Sequence, residues 1–378
     1  MNFTITLILL VIIIRITAFS ILNETSQIKK AIYFFLFVIH FLSFFLFLEI
    51  IPDLKKDSFH FYERALKADN FIDYLRPGSY FMTLIIMPFV KIGVSFFNLS
   101  LLCSTTSYYA FNYIYKVTFL HTKVNSLALG SLFFLLFPTI HFWTSGITKE
   151  SLVFPLMVLV FSDLKTSFKP SIFSIIASIL VLFIRPYLFS IITSSFLITW
   201  SIAQKRSLKK NTLIVIIFLC LLLIPIPIFK SFLNIEIINS ESINNFFNSI
   251  MDYIGSSGNS SIPITQTNYF ERFFMVLFRP LFYDSHNIFQ HLVSLENLLF
   301  IFLCIFSFAK LFKRGVKFIK ISFFLFLTAF LIVLFLSFYM YNLGLASRMR
   351  VMFVPYFIIA IHFSFKVIES SNNSCKRN

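Results

Sequence analysis

The chain has 378 residues, of which 58% are hydrophobic and 13% charged, where a soluble domain carries about a quarter charged residues. One water-soluble core cannot bury that much apolar surface, so lipid must solvate much of the chain and membrane lipids are expected neighbours. The formal net charge of +16 does not point to nucleic acid. Lys and Arg fall in short clusters between apolar stretches, the pattern of cytoplasmic loops under the positive-inside rule, and no nucleic-acid partner is expected.

Apolar segments near the 20 or so residues that cross a bilayer fall at about 3–22, 31–51, 79–97, 99–120, 124–144, 150–163, 171–202, 211–230, 295–312, 318–340 and 350–368. The stretch 171–202 is too long for one crossing and has Arg185-Pro186 in its middle. Proline disfavours helix at the residue before it, so two helices are expected to meet there. The expectation is an all-α, polytopic transmembrane helical bundle of about 11–12 helices. It forms a single integral membrane domain, 1–378, with larger outer loops at about 52–78 and 231–294 that contain interfacial helices. The N-terminal apolar stretch has no basic n-region and no small-residue cleavage site, so it reads as a retained first helix. Cys103, Cys220, Cys304 and Cys375 have no close spacing and imply neither a disulfide framework nor a zinc site.

The basic clusters orient the loops. Lys205, Arg206, Lys209 and Lys210, then Lys310, Lys313, Arg314, Lys317 and Lys320, mark the cytoplasmic side. Residues 231–294, the stretch Tyr341–Arg350, the Arg185-Pro186 junction and the Lys149–Glu150 turn then fall on the outer side. Three apolar segments lie between the loop at 52–78 and Lys149, where an even number of crossings is needed. Either one of them is re-entrant or the segmentation there is incorrect.

Four elements could carry chemistry. In the first loop Asp57, His60 and Arg64 share a helical face while Phe59, Tyr62 and Leu66 line another, giving an amphipathic interfacial helix with a carboxylate and an imidazole at headgroup level. The bland alternative is a solvated helix with ion pairs along it. Next, Pro138–Glu150 ends one apolar helix at Trp143, turns at Gly146 and restarts with Thr148, Lys149 and Glu150. Glu150 is either an ordinary first-turn acid or a functional charge where charge is scarce. Third come three Arg-Pro dipeptides, at Arg76, Arg185 and Arg279, which either clamp an anion or snorkel to the interface. Last, Arg348 and Arg350 are read as opening the final helix at its outer end, where cations oppose the helix dipole. A substrate phosphate, or a carboxylate such as Glu150, would compensate them. Eight glycines form no phosphate-loop pattern, and Asp284, His286 and His291 lack metal-ligand spacing, so no metal is expected.

Together these elements resemble bacterial O-antigen and exopolysaccharide polymerases. The resemblance rests on Asp57, Tyr62, Glu63 and Ala65 in the first loop and on Trp143, Ser145, Lys149 and Glu150 in the turn. It continues through the Arg-Pro elements to Asn342, Gly344, Arg348 and Arg350. The first loop and the Lys-Glu turn are similar also to multispanning glycosyltransferases that use polyprenyl-phosphate sugars. The resemblance implies a multi-pass protein of the bacterial inner membrane, acting on an undecaprenyl-diphosphate-linked oligosaccharide, with other polysaccharide assembly proteins as possible partners and no cofactor. Under it Arg185, Arg279, Arg348, Arg350 and Lys149 hold the diphosphate, Glu150 or Asp57 is the base, and His60 orients. A glycan carrier would need inverted repeats and broken helix pairs, which the sequence does not display; a non-catalytic assembly subunit is the remaining alternative.

Overall fold

The computed structural model describes residues 1–53, 57–119, 127–203, 241, 245, 267–314, 320–339 and 342–375. The chain is all-α: these residues form fifteen α-helices with short 3-10 turns and no strand. They fall into two compact units, Met1–Phe189 and Ser190–Asn378. The segment expected at 211–230, the basic cluster at 205–210, Lys317, Cys220 and most of the loop at 231–294 lie outside the described residues.

In the first unit α1 (Asn2–Leu22) and α2 (Gln27–Asp53) are long apolar runs with no glycine and turn a largely apolar surface outward, for example at Phe3, Ile8, Val11 and Ile14, interrupted on α1 by Arg15. The centre is α5 (Phe96–Phe119), packed against α1, α2 and α8 (Lys149–Ser167). It is rich in Ser, Thr, Asn and Tyr, and Ser100, Ser104, Ser107 and Phe111 are buried at the spacing of one helical face. Small polar side chains let neighbouring helices approach closely and supply interhelical hydrogen bonds where water is absent.

Two lysines fix the direction of these helices. Lys29 Nζ, at the start of α2, donates to Phe119 O (3.0 Å), and Lys165 Nζ, near the end of α8, donates to Val117 O (3.0 Å). Both cations thus sit on the exposed carbonyls of α5's last turn, the negative end of its dipole. It follows that α2 runs antiparallel and α8 parallel to α5, and that Glu150 lies at the end away from the lysines.

That geometry resolves the parity problem between residue 52 and Lys149. Helix α4 (Ser79–Lys91) has 13 residues, about 20 Å, which is short of a hydrocarbon core of about 30 Å. It packs on α3 (Asp57–Lys67), and both its ends are tied to the same side. Gly78 N donates to Phe183 O (2.8 Å), two residues before Arg185, while Lys91 Nζ donates to Leu66 O (3.1 Å) at the end of α3. So α4 does not cross. The expected segment 124–144 is not one helix either. It breaks into α6 (Leu127–Leu132), a 3-10 turn (Phe133–Leu136) and α7 (Pro138–Trp143), because Pro138 holds Phe137 extended. Helix α9 (Ile172–Ile184) ends at Arg185, and α10 (Pro186–Ala203) begins at the proline, as the dipeptide predicts.

The second unit comprises α11 (Tyr269–Phe278), α12 (Ile288–Arg314), α13 (Lys320–Tyr339), α14 (Leu343–Met349) and α15 (Val354–Cys375). Helix α13 packs on α15 through Ser322, whose Oγ lies 2.8 Å from both Ala360 O and Ser364 Oγ. Among the described residues five helices are long and apolar enough to cross a membrane: Asn2–Leu22, Gln27–Ile50, Pro186–Ala203, Ile288–Ala309 and Lys320–Phe338. A sixth is the pair Leu343–Met352 and Val354–Phe365, bent by 47°. This is fewer than expected, since α4 and α9 are short and α5 and α8 carry too many polar groups to pass as lipid-facing spans.

Candidate functional site

Each unit contains one buried charge cluster. In the first, the turn after Trp143 is pinned by its own backbone. Thr148 Oγ1 donates to Trp143 O (2.8 Å) and accepts from Ser151 N (3.0 Å), and Thr148 N donates to Gly146 O (2.8 Å). Thr148 and Ser151 thereby cap α8 reciprocally. Lys149 and Glu150 follow in the first turn, Lys149 half-buried and Glu150 without exposure. The Glu150 carboxylate is ion-paired with the Arg185 guanidinium, itself buried, and Arg185 Nη1 also donates to Tyr187 Oη (3.2 Å). Glu150 sits at the N-terminus of α8 and Arg185 at the C-terminus of α9, its antiparallel neighbour, so both helix dipoles favour the charge placed on them. At the far end of the same hairpin Asp163 caps α9, accepting from Ser174 Oγ (2.5 Å) and Ser171 N (3.2 Å).

The first unit also holds a contact that sequence reasoning missed. His40 of α2 and His141 of α7, both fully buried, face each other with Nδ1 atoms 3.0 Å apart. The one available signal was a histidine inside a long apolar run, where a polar ring is costly.

Asp57 and His60 lie on the exposed side of α3, with His60 Nδ1 3.8 Å from Glu63 Oε2. The buried face of that helix is Ser58, Phe61 and Ala65, while Leu66 is exposed, so the expected apolar face is rotated toward Phe61. Phe59 and Tyr62 do pack, on Phe96.

In the second unit the cluster forms around a turn. Arg279 caps α11 and its Nε donates to Asp284 Oδ2 (3.0 Å), with a second bond from Nη2 to Oδ1. Asp284 also accepts from Leu281 N (2.8 Å). Desolvation pushes the Asp284 carboxyl up, but the bonds from Arg279 and Leu281 outweigh it and hold the group below the ordinary carboxylate range. The two carbonyls of the cis Arg279-Pro280 turn are each taken from outside. Arg350 Nη2 donates to Arg279 O (2.5 Å) and Asn297 Nδ2 to Pro280 O (2.5 Å). Asn297 Oδ1 in turn accepts from Arg350 Nη1. Arg350 and Glu296 are both buried, and Arg348 is half-buried. Buried Arg272 donates from Nη1 to Phe338 O (3.1 Å) in the last turn of α13 and lies over the Tyr269 ring.

The arginines before the last helix are placed differently from expectation. Arg348 ends α14, and Arg350 starts a 3-10 turn before α15 begins at Val354. They close one short helix rather than open the final one, and a cation in a last helical turn is not opposed by the dipole. Asn297, Asp284 and Glu296 were not among the expected site residues. The structure brings Glu150 to Arg185 within the first unit and Arg279 to Arg350 within the second. Among the described residues of this cluster, Arg272 and Arg350 are buried and Arg279 and Arg348 half-buried, alongside exposed Glu271, half-buried Asp284 and buried Glu296. The planar, bidentate guanidinium suits an anionic ligand such as phosphate. Among the described residues no three His, Cys, Asp or Glu side chains converge as a metal site.

The class that fold and clusters define is a multi-pass helical membrane protein. Comparison with protein-family models, curated proteins and solved structures returned no match to this chain.

Proposed function

We propose that this protein is a cell-surface polysaccharide polymerase of the bacterial inner membrane. It transfers a lipid-diphosphate-linked glycan to a new lipid-linked repeat unit on the outer face. The observation that carries the reading is the gathering of arginine in the second unit, where buried Arg350 and Asn297 hold the Arg279-Pro280 turn and buried Arg272 lies on the helix before it. An apolar chain keeps such charge at a cost unless an anion uses it.

In the reaction an acceptor hydroxyl oxygen attacks the anomeric carbon of the donor glycan, and the bond from that carbon to the diphosphate oxygen breaks. The diphosphate leaves with the electron pair, and guanidiniums neutralise the charge that develops on it. Arg279, Arg348 and Arg350 of the second unit take that role; Arg185 and Lys149 of the first are assigned to the diphosphate by the resemblance alone. The acceptor proton passes to a carboxylate, assigned to Glu150. Asp57 is the alternative base, with His60 orienting the acceptor, since both are accessible on α3.

Deleting the gene in its host and resolving the surface glycolipids on a gel tests the reading. Collapse of a long ladder to a single repeat unit supports a polymerase. A shortened or missing unit would move the activity to a glycosyltransferase that builds the unit from a polyprenyl-phosphate sugar. An unchanged profile would leave a carrier or an assembly subunit. In complementation, Glu150→Gln should restore protein but no ladder; a full ladder would remove Glu150 as base.

A further inference from the structure

The His40–His141 contact takes no part in the reaction above, yet it is a complete hydrogen-bonded unit in the interior of the first unit. His40 Nε2 lies 3.0 Å from both the carbonyl O and the Oγ of Ser104. His141 Nε2 lies 3.0 Å from Leu135 O. Counting protons over the four ring nitrogens shows what these partners allow. In the neutral pair His141 donates from Nε2 to Leu135 O, which leaves its Nδ1 as an acceptor. His40 must then donate from Nδ1, so its Nε2 is also an acceptor and takes the hydroxyl proton of Ser104.

One more proton on the pair turns His40 Nε2 into a donor, and the Ser104 carbonyl is already in place to accept it. Each state therefore finds every ring nitrogen a partner without movement of the backbone. A second added proton has no such place: it would set two N–H groups and two charges against each other across 3.0 Å in an apolar interior.

We propose that His40 and His141 form a proton-binding site that takes up one proton, and only one, on His40 Nε2, with the resulting charge shared across the Nδ1–Nδ1 hydrogen bond. The apolar surroundings supply no countercharge and oppose the added charge by desolvation, against which the Ser104 carbonyl acts. Phe41, Tyr108 and Phe111 pack on His40, and Phe111 packs on His141. Tyr108 is the other titratable group against the pair, and its hydroxyl is engaged by Thr17 of α1 (2.6 Å). The charged groups of the adjoining elements are committed elsewhere. Arg15 is exposed on α1, Lys29 is at the α5 C-terminus, Lys116 lies over Phe19, and Glu150 of α8 is with Arg185. The site also has a mechanical connection. Ser145 Oγ donates to His141 O (2.5 Å) and leads into the turn that ends at Glu150, which joins the pair to the segment presenting that carboxylate.

The test uses the full chain in lipid nanodiscs, labelled with 15N at histidine, from about pH 8 to about pH 5, the range in which histidine ordinarily changes charge. The expected result is a scalar coupling between the two Nδ1 nuclei and the gain of one proton per pair, seen at both rings with one midpoint. In His40→Asn the amide can still donate to His141 Nδ1 but cannot be protonated, so uptake at His141 over the same range should disappear. The proposal is overturned if neither ring of the folded wild type gains a proton. It is equally overturned if each ring titrates with its own proton, or if His141 titrates unchanged in His40→Asn. These readouts are independent of transferase activity, so loss of the polymerase reading would leave them intact.

Discussion

Glu150 and Arg185, separated by 35 residues, meet as a buried ion pair where the start of α8 lies beside the end of α9. Removing one partner strands the other charge without water. Glu150→Leu or Arg185→Met alone should each destabilise the protein by about 3–5 kcal/mol. The double variant, with no charge left to strand, should recover most of that loss. Thermal unfolding of the four proteins in one detergent closes the cycle. A double variant no more stable than the worse single would show that the pair is not the dominant partner of either residue.

Asn297 joins three parts of the second cluster by donating to Pro280 O and accepting from Arg350. Asn297→Ala leaves a buried carbonyl and a buried guanidinium each short of a partner, at about 1–3 kcal/mol apiece. A fall in unfolding free energy of about 2 kcal/mol or more is expected. Arg350→Lys should be as harmful to the ladder as Arg350→Ala, because a compact ammonium cannot reproduce the fork that reaches Asn297 and Arg279 O together. A lysine variant with normal chain lengths would remove Arg350 from substrate binding.

Asp284 gives a pH dependence of known sign. Its folded carboxyl titrates below its unfolded value of about 3.9, so the charged form is favoured by folding. The stabilisation it contributes is complete above about pH 4 and is lost as pH falls through the lower folded value. Asp284→Asn should therefore lower the melting temperature at pH 6 and narrow its deficit progressively below about pH 4. A deficit that widens on acidification would mean that the Arg279 contact does not govern this carboxyl.

The legible and the hidden parts of this protein divide by the range of the forces involved. Local rules sufficed at Arg185, where the following proline ends α9, and at Thr148, where a short polar residue ahead of an apolar run caps α8. Hydropathy averaged over 124–144 could not register that Pro138 breaks the run, nor that α4 stops at 13 residues. The start of α12 at Ile288 was missed because Gln290, His291 and Ser294 dilute its first two turns. The site residues were visible as scarce charges, but their partners were not. Arg185 is 35 residues from Glu150, and His40 is 101 residues from His141. Only the packing of α2, α5, α7, α8 and α9 decides which of them meet.

Gly146 occupies the turn before Thr148 for reasons of space rather than backbone conformation. It does not adopt the left-handed geometry seen at Gly78 and Gly93, but a Cβ there would run into the ring of Phe47, which is itself fully buried on α2. The glycine thus lets α2 close on the α7–α8 turn that presents Lys149 and Glu150. Gly146→Ala should cost about 1–3 kcal/mol as an overpacked core. Phe47→Leu, which removes the far ring atoms, should be mildly destabilising alone and should restore at least half of the loss in the double variant. Melting temperatures of the two singles and the double measure that coupling. A Gly146→Ala protein as stable as the wild type would mean that α2 does not approach the turn this closely, and with it the buried setting of Glu150 would have to be redrawn.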